Sequence, residues 1–250
     1  MLIVTIRATN ASGLDAKRNE LNRMRFDPKT RRYIDENGHA MSPAEVRREV
    51  HDYVEQEKSK TEKEALKLLA GTITIAGFFH FMRSRIENWH TVTGSIAYGG
   101  KAQLDPERIA RIQAKITSEL EYLAGFRDDV ATALAEAREA GAPLEETAGF
   151  VPNRAGMYAD AAYSTFVNNT VAREFDNGVT LGRRECAEDT ASCEECVAAA
   201  STYFQPLDEI PEIGTLTCLN NCRCDIITAE APLTANVTIQ DRAQQSDAVQ

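Results

Sequence analysis

The stretch Cys193-Glu194-Glu195-Cys196, followed 21 residues later by Cys218-Leu219-Asn220-Asn221-Cys222-Arg223-Cys224, decides how the C-terminal part of the chain folds. Five of the six cysteines fall inside these 32 residues. Two groups of closely spaced cysteines, brought together by the intervening excursion, can supply the tetrahedral thiolate set that Zn²⁺ accepts. We therefore predict a structural zinc site. Its candidate ligands are Cys193, Cys196, Cys218, Cys222 and Cys224, one more than the ion needs.

Two alternatives to the metal stay open. The cysteines could form disulfides after release from a cell, or they could be reduced structural thiols. Disulfides do not persist in a reducing cytosol, and from the N-terminal residues we expect no secretory signal. The polar segment 185–225 has too few apolar residues for an independent core, and a zinc ion would contribute about 10–16 kcal/mol to its folding. One disulfide would contribute about 2–4 kcal/mol.

The charge of the chain is unevenly distributed. Of the 250 residues, 43% are apolar and 26% are charged, which is typical of a soluble globular protein. Residues 1–110 carry 18 basic and 15 acidic side chains, a net +3, whereas residues 111–250 carry 10 and 23, a net −13. The C-terminal half therefore lacks the basic surface that nucleic acids require.

The N-terminal residues predict a strand and a basic arm. The apolar run Met1 to Arg7 is too short for a signal sequence and predicts a short strand. The segment Lys17 to Arg32 contains seven Lys or Arg residues but only Glu20 and Asp27 as acids. We interpret it as a solvated arm, and a weak contact with DNA or an acidic partner is the alternative.

Helix-start signals follow. Ser42-Pro43-Ala44-Glu45 is a capping box with proline at the first helical position. Thr61-Glu62-Lys63-Glu64 repeats the pattern and predicts a second start. The segment Gly71 to Trp89 is predicted as a helix because its neighbours are helical. The longest uncharged stretch, Leu68 to Met82, has 15 residues, too few to span a bilayer, so we expect no membrane association.

The clearest predicted helix begins at Asp105-Pro106 and ends at Gly141. Its apolar residues recur every three or four positions. They are Ile109, Ile112, Ile116, Leu120, Leu123, Phe126, Val130 and Leu134. A further helix follows Pro152 and ends near Asn177-Gly178, and Asp225 to Thr228 predicts a short strand.

These elements predict a mainly α protein. Long amphipathic helices are joined to a short N-terminal strand and to a small, irregular, cysteine-rich module of the zinc-knuckle type. The predicted domains are 1–40 for the strand and basic arm, 41–180 for the helical body, 181–228 for the cysteine-rich module and 229–250 for the tail.

No catalytic pattern stands out in the sequence. The four histidines form no helix-face pair, and Cys193-x-x-Cys196 lacks the preceding strand expected of a thioredoxin-like motif. Cys186 is the only candidate nucleophile, and its acidic neighbours Glu185, Glu188 and Asp189 disfavour the thiolate form. We therefore expect the chain not to be an enzyme.

Several blocks of the sequence suggest a family. They are Arg183-Arg184-Glu185-Cys186, Cys193-Glu194-Glu195-Cys196, Phe204-Gln205-Pro206-Leu207, Ile210-Pro211-Glu212-Ile213-Gly214 and the closing run from Cys218 to Cys224. Together they resemble the C-terminal module of bacteriophage head-morphogenesis (Mu F-like minor head) proteins, over about residues 150–228. Many members of that family have a histidine where this chain has Leu219, so Cys218 and Cys222 compete for the fourth ligand position beside Cys193, Cys196 and Cys224.

The resemblance implies a non-enzymatic structural protein of the virion head, made in the host cytoplasm. Such a minor capsid, cement or portal-proximal component would bind capsid or portal proteins and sister subunits. The alternatives are a zinc-knuckle interaction or regulatory protein unrelated to virions, and a toxin-like or peptidase enzyme.

Overall fold

The computed structural model describes residues 11–186, 193–217, 222 and 224–229. The predicted strand Met1 to Arg7 and residues 230–250 of the predicted tail lie outside these residues. The chain divides into two compact units, Met1–Phe166 and Val167–Gln250. The predicted mainly α class is confirmed, because most of the described residues are helical.

The elements of the first unit are mostly helices. They are α1 (Ala11–Arg23), the strands β1 (Arg25–Asp27), β2 (Arg32–Ile34) and β3 (Ala40–Met41), then α2 (Pro43–Leu69), α3 (Ile75–Ala97), a 3₁₀ turn (Lys101–Gln103), α4 (Pro106–Ala140), α5 (Leu144–Ala148) and α6 (Val151–Asp176). The boundary between the two units falls inside α6, after Phe166.

The second unit contains a small antiparallel sheet. After the end of α6 come β4 (Leu181–Glu185), α7 (Glu194–Ala199), β5 (Gln205–Pro206), a 3₁₀ turn (Leu207–Glu209) and β6 (Asp225–Thr228). The strand order is β5-β4-β6, so β4 pairs with both neighbours. The predicted strand at Asp225 to Thr228 is confirmed as β6.

The prediction of a solvated arm at Lys17 to Arg32 is wrong. This segment forms the end of α1, all of β1 and the start of β2, and Leu21, Met24 and Phe26 are buried. The amide of Phe26 donates a hydrogen bond to the carbonyl of Gly99 at 3.0 Å. The apolar residues interleaved with the basic ones decide the outcome, because burying them outweighs the solvation of a charged face.

The capping box at Ser42 forms as predicted. The Ser42 hydroxyl accepts from the amide of Glu45, and the Glu45 carboxylate accepts from the amide of Ser42. The second predicted start at Thr61 is wrong, since α2 runs unbroken to Leu69. The buried Thr61 hydroxyl donates to the carbonyl of Glu57 at 2.8 Å, the bond that a threonine makes inside a helix.

The two following helices confirm their predicted type. Within the segment Gly71 to Trp89 the helix α3 begins at Ile75, after the Thr74 cap. Helix α4 begins after the Asp105 cap and ends at Gly141, which adopts φ 64°. The predicted apolar stripe of α4 is wrong at Ile109, which is 44% exposed, because the buried part of the helix begins one turn later at Ile112.

The core of the first unit lies between α2, α3, α4 and the start of α6. Phe126 of α4 packs against Phe79 of α3 and Tyr158 of α6, with ring centroids 5.4 and 5.9 Å apart. Trp89 of α3 donates to the buried Glu57 carboxylate of α2 at 2.7 Å. Among the residues that the structure describes, no helix combines the length and apolar character required to cross a bilayer.

Candidate metal centre

The strand pairing in the second unit brings two distant cysteines together. Strands β4 and β6 are antiparallel, and their ladder ends with Glu185 opposite Asp225. Cys186 directly follows β4 and Cys224 directly precedes β6, so each occupies the next position of the same register. Their sulfur atoms lie 2.7 Å apart. No disulfide joins the five described cysteines.

Helix α7 supplies a third sulfur. Cys193 is the N-cap of α7, and its Sγ accepts a hydrogen bond from the amide of Cys196 at 3.3 Å. The Cys186 thiol donates to the carbonyl of Cys196 at 2.9 Å, which ties the end of β4 to this helix. The sulfur atoms of Cys186, Cys196 and Cys224 all lie within 4.8 Å of one another, so this group can hold a metal ion.

Cys222 lies beside this group of three, close to one of its members. Its Sγ lies 3.6 Å from that of Cys196, and its side chain is buried. We call Cys186, Cys196, Cys222 and Cys224 the sulfur cluster. All of its members except Cys186, which is half-buried, are almost completely shielded from solvent.

A buried arginine lies beside the sulfur cluster. Arg184 is fully buried, and its Nη2 donates to the sulfur atoms of Cys196 and Cys222 at 3.3 Å each. Its Nη1 donates to the carbonyl of Pro211 at 2.6 Å. Because alternate residues of a strand share a face, β4 directs Arg184 and the following Cys186 to the same side.

The guanidinium and the thiols influence each other's protonation. Burial above all, together with the Cys186 hydrogen bond and the Cys222 charge, raises the pKa of the Cys224 thiol to about 12, although Cys196 and Arg184 act in the opposite direction. Burial by itself lowers the pKa of Arg184, but the sulfur atoms of Cys224, Cys222 and Cys196 raise it above its ordinary value. Arg184 is therefore a permanent cation next to groups that become anions when they bind a metal.

The donor set fits a thiophilic ion. Zinc–thiolate bonds of about 2.3 Å place the sulfur atoms of a tetrahedral site about 3.8 Å apart. The Cys196–Cys222 separation of 3.6 Å matches this, while the Cys186–Cys224 pair at 2.7 Å would move apart by about 1 Å. Three thiolates around a divalent ion would already carry surplus negative charge, which the Arg184 guanidinium would partly neutralise.

Three of the five predicted ligands, Cys196, Cys222 and Cys224, lie together in the sulfur cluster. Cys193 caps α7 through its sulfur, and Cys218 lies outside the described residues. The predicted set of five stays a prediction. Cys186 was not among the predicted ligands, because only the pairing of β4 with β6 brings it to Cys224. The alternation of Gly182, Arg184 and Cys186 along one strand face is the sequence signal that could have indicated it.

Contacts with β4 and α6 hold the segment between α7 and β6 in place. A Cβ on Gly182 would lie 2.4 Å from Cδ2 of Leu207, so the Leu207 side chain packs directly against the backbone of β4. The side-chain amide of Asn168 exchanges two hydrogen bonds with the backbone of Ile213, both at 2.9 Å. The segment between α7 and β6 is thus held by contacts at both Leu207 and Ile213.

Comparisons with models of known protein families, with curated proteins and with solved structures give no match to this chain.

Proposed function

We propose that the chain is a non-enzymatic structural protein of a bacteriophage head, a minor capsid, cement or portal-proximal component whose C-terminal unit is held together by a structural zinc ion. One observation carries the proposal. The blocks that resemble phage head-morphogenesis proteins contribute Arg184, Cys186, Cys196, Cys222 and Cys224, and these same residues form the sulfur cluster and its guanidinium.

The composition of the second unit supports a structural role for the metal. Among the residues of this unit that the structure describes, the buried apolar side chains are few, and they include Val179, Leu207, Ile210, Ile213 and Ile226. Small domains with so little apolar surface commonly depend on a metal or disulfides for stability. Because the cluster lies at the meeting point of β4, β6 and α7, one ion there would fix all three elements.

Exposed apolar side chains support a role in assembly. In the second unit Phe175, Val197, Tyr203 and Phe204 are each between 44% and 59% exposed. Tyr203 and Phe204 are adjacent in the chain, and exposed apolar side chains that adjoin one another mark protein contacts. We therefore propose capsid proteins, portal proteins or sister subunits as partners. A contact of the Lys17 to Arg32 segment with DNA stays a prediction.

Purified particles test the proposed location. Heads are isolated on density gradients from an induced lysogen that encodes the chain, before and after DNA packaging, and their proteins are quantified by peptide mass spectrometry. We expect the chain to sediment with the portal and major capsid proteins at a fixed ratio in at least one of the two head forms. Recovery of the chain only in the soluble fraction, with heads complete in other components, would contradict the proposal.

A surface variant separates assembly from folding. Tyr203→Ser combined with Phe204→Ser is expected to lower incorporation into heads while leaving the metal content unchanged. The matched control is Glu209→Gln, which changes an exposed polar residue of the same unit. Equal incorporation of the double variant and the control would remove this surface from the proposed contacts.

A further inference from the structure

We infer that Cys186 and Cys224 form a specific disulfide when the chain meets an oxidant of the low-molecular-weight disulfide class, such as oxidised glutathione. Their sulfur atoms lie 2.7 Å apart, closer than the 3.6 Å between the sulfur atoms of Cys196 and Cys222. A disulfide bond is about 2.0 Å long, so less than 1 Å of movement separates the two states.

The backbone is already suited to the bond. Continuing the β4–β6 register by one residue beyond Glu185 and Asp225 places Cys186 opposite Cys224. Opposed residues of antiparallel strands have Cα atoms about 4.5–5.5 Å apart, within the range of about 4.4–6.8 Å that disulfides require. The bond can therefore form without separating the strands.

The exposure of the two thiols determines which cysteine reacts first with the oxidant. Cys186 is half-buried, whereas Cys224 is 1% exposed, so the oxidant reaches Cys186 first.

The reaction balances with one oxidant molecule. The Cys186 thiolate attacks a sulfur of oxidised glutathione, the oxidant's sulfur–sulfur bond breaks, and one glutathione thiolate leaves. The sulfur of Cys224 then attacks the Cys186 sulfur of the mixed disulfide, gives up its thiol proton and displaces the second glutathione. Two cysteine thiols are oxidised, one glutathione disulfide is reduced to two thiols, and the two cysteine protons pass to the departing thiolates.

The disulfide and the metal exclude each other, because the bond removes two sulfur donors from the cluster. The pairing nevertheless requires neither the metal nor the proposed place in a phage head. Reduced, metal-free chain can form the bond even if the chain binds no zinc, and zinc can bind even if the bond never forms.

Peptide mapping of the full chain tests the inference. The reduced, metal-free protein is incubated in glutathione redox buffers, the free thiols are alkylated, and the protein is digested with trypsin and a glutamate-specific protease. Four cysteines then fall in separate peptides, owing to cleavage after Glu185, Glu188, Glu194, Glu195 and Arg223. We expect a peptide linked through Cys186 and Cys224, with the loss of two of the six alkylatable thiols.

Variants identify the partners. Cys186→Ser and Cys224→Ser should each abolish the linked peptide, whereas Cys193→Ser should retain it, because serine preserves the N-cap of α7. The wild-type map decides the matter even if a variant fails to fold. Cys186 that stays reduced, ends as the glutathione adduct or links to another cysteine would overturn the inference.

Discussion

Replacing Arg184 by methionine tests the charge state of the sulfur cluster. Methionine keeps much of the side-chain length but removes the guanidinium, whose Nη atoms donate to Pro211, Cys196 and Cys222. The substitution therefore asks whether the buried positive charge of Arg184 faces thiolates or neutral thiols.

The two charge states predict changes of opposite sign in the free energy of unfolding of Arg184→Met. If a metal holds the cluster as thiolates, Arg184→Met leaves buried negative charge without its counter-ion and should destabilise the second unit by about 3–5 kcal/mol. The same loss of an outer-shell partner should weaken metal binding roughly 10–100-fold. If the cysteines are neutral thiols, removing a buried and uncompensated cation should be neutral or stabilise the unit by about 1–4 kcal/mol.

Urea unfolding followed by far-UV circular dichroism gives the change in free energy, and a chromogenic chelator gives the metal affinity in the same samples. Arg183→Met is the matched control. Arg183 neighbours Arg184 on β4, but its side chain is 33% exposed and pairs with Glu185. Exposed pairs contribute about 0–1 kcal/mol, so we expect the control to change stability by no more than that.

A stability of Arg184→Met equal to or above that of the wild type, in metal-replete and reducing buffer, would refute the account. It would mean that the cluster carries no compensating negative charge and that no thiolate-bound ion is present. A loss of the same size in Arg183→Met would instead show that any arginine removed from β4 damages the sheet.

The remaining predictions concern the first unit. In Gly99→Ala the new Cβ would lie 2.5 Å from Cβ of Phe26 at φ 92°, so we expect a loss of about 2–5 kcal/mol from strain and overpacking together. Gly38→Ala is the control, because Gly38 has φ 84° and open space around it, so only backbone strain of about 1–2 kcal/mol is expected. Equal losses of stability in Gly99→Ala and Gly38→Ala, measured by thermal unfolding, would contradict the packing of Gly99 against Phe26. Burial lowers the pKa of His90 to about 3, so the unfolded chain binds a proton below about pH 6.5 that the folded chain does not. Stability should therefore fall as the pH drops from about 6.5 towards 3, by up to about 1.4 kcal/mol per unit, and His90→Gln should lack this slope when Trp89 fluorescence reports urea unfolding.

The features predicted correctly from the sequence are those set by neighbouring residues. The capping box of Ser42 and Glu45 marks the start of α2, because its hydrogen bonds span three residues. Asp105 and Gly141 mark both ends of α4 for the same local reason. Periodicity then identifies the face of α4 that packs in the core.

Two sequence-based errors have a shared cause, since each local pattern fits two environments. Thr61 begins a capping sequence, but inside a continuous helix its hydroxyl bonds to the carbonyl of Glu57 instead. The basic residues between Lys17 and Arg32 resemble a solvated arm until the packing of Leu21 and Phe26 is known. Tertiary contacts decide between the alternatives in both cases.

The composition of the sulfur cluster depends on strand register, which the sequence does not specify by itself. Cys186 reaches Cys224 because β4 and β6 pair with Glu185 opposite Asp225, and a shift of one residue would turn either cysteine to the other face. Arg184 is likewise a basic residue among several in the sequence, and only its complete burial reveals its place beside the sulfurs.

Elemental analysis of the full chain, purified under reducing conditions, tests the central claim most directly. We expect about one zinc ion per chain in the wild type, and a large loss of that zinc in Cys186→Ser, because the fold brings Cys186 into the sulfur cluster. Absence of a stoichiometric metal from the wild-type protein would contradict the account and leave the cluster as a set of thiols able to form disulfides.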